Sequence, residues 1–122
     1  MADEHLDRNV LSALQEVMEQ DYPELLDTFL RDSEERLLLL KKAGDAAQLV
    51  ETAHSFKGSS SNMGAVRLAE LCGDLERRAK QESPEVIGNL VEKIEAEFAI
   101  VRVLYGAEKQ RSLAGLSSHS TF

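Results

Sequence analysis

The stretch AHSFKGSSSNMG, residues 53–64, sets one histidine and one lysine three positions apart among small side chains. Imidazole has an unperturbed pKa of about 6.5 and is substantially neutral at cellular pH, so an exposed His54 could attack phosphorus as a nucleophile. Phosphoryl transfer also needs compensation for the negative charge spread over the equatorial oxygens. Lys57, one helical turn along and displaced toward the core side, is placed to supply it. In a helix advancing ~100° per residue, Ala47, Gly58 and Ser61 share the face of His54. The missing side chain at Gly58 would let a bulky donor domain approach the ring. Residues 58–62, GSSSN, are poor helix formers, yet the apolar stripe Phe56, Ser60, Met63 continues through them. A helix that gives up propensity on such a face is expected where function overrides stability.

Other chemistries find little support. His5 and His119 fall in terminal segments, HExxH is absent, and no spacing suggests a trio of serine, histidine and acid. Cys72 is the only cysteine, which excludes an intrachain disulfide and a cysteine-based zinc cage, so no metal site is expected. In KGSSS the lysine precedes the glycine, the reverse of a phosphate-binding loop, and there is no glycine-rich ATP lid. No kinase activity of the chain's own is expected.

The elements that must position His54 are helical. Five segments carry apolar residues at helical spacing and none alternates with period two, so the chain is predicted to be all-α. The first segment runs from about residue 7 to 20, with Asp7 as N-cap and Val10, Leu11, Leu14, Val17 and Met18 on one side. Pro23 opens a second whose stripe is Leu25, Phe29, Leu30, Ser33, Leu37 and Leu40. Asp45 and Gln48 have capping-box spacing before a third, with Leu49, Ala53, Phe56, Ser60 and Met63, closed by Gly64. A fourth, from about 65 to 81, carries Leu68, Leu71, Cys72, Leu75 and Ala79. Ser83 and Pro84 open a fifth with Ile87, Leu90, Val91, Ile94, Phe98, Val101 and Tyr105, ending near Gly106. Short connections between long amphipathic helices predict an antiparallel four-helix bundle capped by the short N-terminal helix. Residues 1–110 would form one domain and 111–122, rich in Ser and Gly, a disordered tail.

The 122 residues are 43% hydrophobic and 30% charged, an ordinary globular composition for one domain. No apolar run approaches the roughly 20 residues that span a bilayer, and the N-terminus has no basic region followed by an apolar stretch. A cytoplasmic protein is expected. The net charge of -8, with Lys and Arg scattered among acids, disfavours nucleic acid and anionic membranes and points to a protein partner.

The array Ala53-His54-x-Phe56-Lys57-Gly58, then Gly64, Leu68, Leu71, Cys72, Leu75 and Glu76, resembles the histidine-containing phosphotransfer (HPt) domains of bacterial multistep phosphorelays, over roughly residues 7–105. The resemblance implies a four-helix bundle with the phosphorylated imidazole exposed midway along one helix. It implies His54 as phosphoacceptor through Nε2, Lys57 as the phosphate-stabilising cation, Gly58 as the small residue that admits the partner, and Gly64 as the turn. Glu76 matches a polar position that in some members neighbours the imidazole; with Ala47, Gly58 and Ser61 it is assigned to partner docking. Phe56 stands where leucine or isoleucine is common, and Ser60 and Ser61 where alanine is common. The implied partners are receiver domains of hybrid histidine kinases and of response regulators, which supply Mg²⁺ and the acidic pocket, so the carrier needs no cofactor. A monomer is expected. The competing function is a non-phosphorylated helical adaptor that binds a signalling partner through the same small-residue face, with His54 incidental.

Overall fold

The helices begin where capping chemistry begins. The computed structural model describes residues 4–120, with side chains for residues 4–115. Asp7 caps α1 (Arg8–Met18), its carboxylate accepting from the backbone N–H groups of Asn9 and Val10. A single 3₁₀ turn, Glu19–Asp21, leads into α2 (Tyr22–Lys42), which has Pro23 in its first turn. Asp45 caps α3 (Ala46–Asn62), accepting from the Gln48 N–H at 2.8 Å, while the Gln48 side chain accepts from the Gly44 N–H at 2.7 Å. This is a capping box whose return arm reaches one residue further back. α4 spans Val66–Arg78, and α5 spans Pro84–Ser120 behind a Ser83 cap whose hydroxyl accepts from Val86 at 3.3 Å.

The connections 43–45, 63–65 and 79–83 are short and hold sequential helices antiparallel. The main contacts close a ring: α2 on α3, α3 on α4, α4 on α5 and α5 on α2. The expected all-α four-helix bundle is therefore present, with α1 at one end. Its core is built from Tyr22, Leu26 and Phe29 of α2, Ala53 and Phe56 of α3, Leu68, Cys72 and Leu75 of α4, and Ile94, Phe98, Val101 and Tyr105 of α5. The rings of Phe29 and Tyr105 lie 5.3 Å apart, tilted by 40°.

The α3–α4 turn is held from both sides. Gly64 has a φ of 77°, left-handed backbone that suits glycine, and a β-carbon there would stand 3.1 Å from the Asp7 carbonyl oxygen. The Asp7 N–H donates to the Gly64 carbonyl at 2.8 Å, and the Tyr105 hydroxyl donates to the Met63 carbonyl. The end of the helix carrying His54 is thereby tied to α5 and to the N-terminal segment.

Three expectations are corrected. The fifth helix does not end near Gly106, and residues 111–120, expected as tail, continue α5, with Ser112 buried. The cause is a polar knot no local pattern announces. The Glu108 carboxylate gathers Arg8 at 2.8 Å, the Tyr22 hydroxyl at 3.0 Å and Arg111, which docks the segment beside α1. Residues 121–122 of the expected tail lie outside the described residues. Val17, placed on the apolar side of the first helix, is 79% exposed, although Leu14 and Met18 beside it pack against the core. His5, in the N-terminal segment, places its Nδ1 2.7 Å from the buried Glu97 carboxylate.

Candidate functional site

α3 runs unbroken through the serine-rich segment. Phe56 and Ser60 are buried on one side, and His54, Gly58 and Ser61 are exposed on the other. Periodicity prevails over propensity here because burying Phe56 against the neighbouring helices outweighs the few tenths of a kcal/mol each serine costs a helix. Ala47 lies exposed about two helical turns before His54 on the same helix.

The His54 side chain is 69% exposed, and its Nδ1 lies 2.7 Å from Oε2 of Glu76 on α4. An ionised carboxylate only accepts, so Nδ1 carries the proton of this hydrogen bond and the lone pair of a neutral ring is on Nε2. No described residue engages Nε2. The other oxygen of Glu76, Oε1, stands 3.0 Å from the Lys57 ammonium. One carboxylate, itself 21% exposed, thus holds both the ring and the cation. The Lys57 ammonium chiefly holds the Glu76 carboxyl below the usual carboxylate range against the opposing effect of desolvation, and the His54 ring adds a smaller lowering.

Beside His54, Gly58 and Ser61 border a groove between α3 and α4 whose far side is formed by Ala69, Gly73 and Arg77. A β-carbon on Gly58 would meet nothing within 4 Å, so that face is open. A cavity of about 580 Å³ lies elsewhere, at the end of the bundle between Leu40, Leu49, Ile87 and Val91. Its lining includes Lys41, Asp45 and Glu82 but no histidine, cysteine or serine. Among the described residues no group of three His, Cys, Asp or Glu could hold a metal ion, and no helix is long and apolar enough to cross a membrane.

The structure therefore brings together His54, Lys57, Gly58, Ser61 and Glu76. Glu76, assigned to docking by the sequence, touches the imidazole directly. Gly73 was not recognised from sequence at all, although a glycine inside a helix three residues before Glu76 is the same kind of signal that marked Gly58.

This arrangement offers an oriented, solvent-facing imidazole with a lysine alongside. The family described as Hpt domain matches residues 24–102. Among solved structures, the chain is similar to histidine-containing phosphotransfer protein B (HptB) from Pseudomonas aeruginosa PAO1, with 56% identity over 90% of this chain and 98% of that one, and a TM-score of 0.84. No curated protein matched. With the family spanning most of the chain and the helical array around His54 in place, the protein belongs to the Hpt domain family and acts in histidine phosphotransfer within a phosphorelay.

Proposed function

We propose that His54 is the residue that accepts and releases the phosphoryl group, exchanging it with the aspartates of two receiver domains, one in a hybrid sensor kinase and one in a response regulator. The observation that carries this is the pairing of a 69% exposed ring with a carboxylate on its Nδ1. The Nε2 lone pair attacks the phosphorus of an aspartyl phosphate in line. The N–P bond forms as the acyl O–P bond breaks, and the aspartate leaves as a carboxylate.

Attack leaves positive charge on the ring, which still bears the Nδ1 proton. Glu76 stabilises that charge and keeps the reactive tautomer, as an acid behind a catalytic histidine does. Lys57 offsets charge on the phosphoryl oxygens. Gly58, with Ala47 and Ser61, keeps the approach clear for the receiver. The chain carries the group and does not draw it from ATP; Mg²⁺ belongs to the receivers.

The test is incubation with a phosphorylated receiver domain. Wild-type protein should gain acid-labile, alkali-stable phosphate, and His54→Gln should stay folded and gain none, while changes at His5 or His119 leave acceptance intact. Phosphate retained on His54→Gln would remove the assignment and favour the adaptor.

A further inference from the structure

Gly73 lies buried in the interior of α4, facing α3. A glycine there gives up helix stability relative to alanine, and its backbone does not call for one, since Gly64 is the only glycine with positive φ among those described. The explanation is on the opposite helix. A β-carbon on Gly73 would stand 3.2 Å from Cδ of Lys57, closer than ordinary van der Waals contact, and 3.4 Å from a guanidinium nitrogen of Arg77. The Lys57 stem crosses α4 over the place where a side chain would be, and its ammonium then reaches Glu76 at 3.0 Å.

We infer that Gly73 is a positioning residue for phosphoryl transfer: its missing side chain is the bed on which Lys57 lies, within reach of Glu76 and of the ring Glu76 holds. This rests on the reading of Lys57 as the cation for the phosphoryl group. In the resting carrier Glu76 keeps the ammonium beside His54, and the incoming phosphoryl group needs only a short swing of the lysine tip. A side chain at position 73 lifts the stem off α4 toward solvent, where Lys57 is 42% exposed already and free to go. The ammonium then leaves Glu76 and is no longer held within a short swing of the phosphoryl group on Nε2.

The experiment places Gly73→Ala and Gly73→Leu in the wild-type and the Lys57→Ala backgrounds, with Arg77→Ala as a control. Phosphoryl acceptance is timed with phosphoramidate, a small donor that transfers its phosphoryl group to imidazole with release of ammonia and has no domain to be obstructed. The Glu76 carboxyl is titrated by NMR on the same samples. Gly73→Leu should slow acceptance by about tenfold, the rate equivalent of one charge-assisted contact, and Gly73→Ala by less. Neither should slow it further once Lys57 is alanine. Glu76 should titrate higher in Gly73→Leu, as in Lys57→Ala, because Lys57 is the main cause of its low value.

A folded Gly73→Leu protein with wild-type rate and unmoved Glu76 titration overturns the inference. So does equal slowing in both backgrounds, or an Arg77→Ala protein that reproduces the effect. If Lys57→Ala itself accepts at the wild-type rate, the reading of Lys57 fails, and the Glu76 titration still decides whether Gly73 sets its position. Should Gly73→Leu not fold, Gly73→Ala carries the same comparison, since its contact asks Lys57 to move only a few tenths of an ångström.

Discussion

His54 and Glu76, 22 positions apart in the chain, meet at 2.7 Å across the α3–α4 pair, a half-buried carboxylate of one helix against the exposed ring of another. Breaking that contact should change reactivity more than stability. Glu76→Ala is expected to slow phosphoryl acceptance by on the order of tenfold, and Glu76→Gln by less, because an amide oxygen still accepts from Nδ1. Nitrogen NMR of the imidazole checks the cause: the fraction protonated at Nδ1 should fall in Glu76→Ala. An unchanged tautomer would detach Glu76 from the mechanism.

The same carboxylate predicts a pH response. Its folded-state value lies below its unfolded one, so its stabilising contribution is fully present above the ordinary glutamate range and is lost only as the pH falls through the lowered value. The His54–Glu76–Lys57 arrangement should therefore survive mild acid. Carboxyl chemical shifts followed from neutral pH downward should show Glu76 titrating after the exposed glutamates.

Gly58 faces open space, so stability and function should part there. Gly58→Ala should gain about 0.5–1 kcal/mol of stability, as a β-carbon meets nothing within 4 Å. Gly58→Gln should slow acceptance from a phosphorylated receiver while leaving acceptance from phosphoramidate unchanged. Equal slowing with both donors would show that the side chain harms the ring itself rather than the approach of the partner.

Removal of residues after Gln110 should cost about 1 kcal/mol, a shift of a few degrees in Tm. It removes the buried Ser112 and the Arg111 partner of Glu108, but leaves Arg8 and Tyr22 on that carboxylate. The transfer rate should not change, since the knot lies far from His54. A melting temperature identical to that of the full chain would mean that the helical extension adds nothing to the bundle.

Glu108→Ala is expected to be worse than that truncation, by about 2–3 kcal/mol, because it strands the fully buried Tyr22 hydroxyl and removes the carboxylate that Tyr22, Arg8 and Arg111 share. Burial first, and then the bond to Glu108, raises the Tyr22 phenol above its ordinary value. Urea unfolding measures the loss; Glu108→Gln, which can still accept from Tyr22, should recover part of it.

Much of the architecture was legible along the chain because helix periodicity and capping are local. Asp7, Asp45, Ser83, Pro23 and Gly64 mark the ends that α1, α3, α5, α2 and the α3–α4 turn adopt. The stripes of α3, α4 and α5 name core residues such as Phe56, Cys72 and Phe98 correctly. His54, Lys57 and Gly58 stood out for the same reason, since residues three and four apart on one helix are neighbours whatever the rest of the chain does.

What the sequence determined by itself is thus what lies within one helix: the bundle's elements, the exposed histidine and the lysine one turn on. Tertiary structure decided what lies between helices. Whether Glu76 turns to the ring, whether Gly73 underlies Lys57, and whether Glu108 draws residues 111–120 into α5 depend on the rotation and stagger of packed helices. These are set by how core side chains such as Phe29, Phe56, Leu75 and Tyr105 fit together, and such fit is a property of shapes meeting across the core rather than of any spacing along the chain.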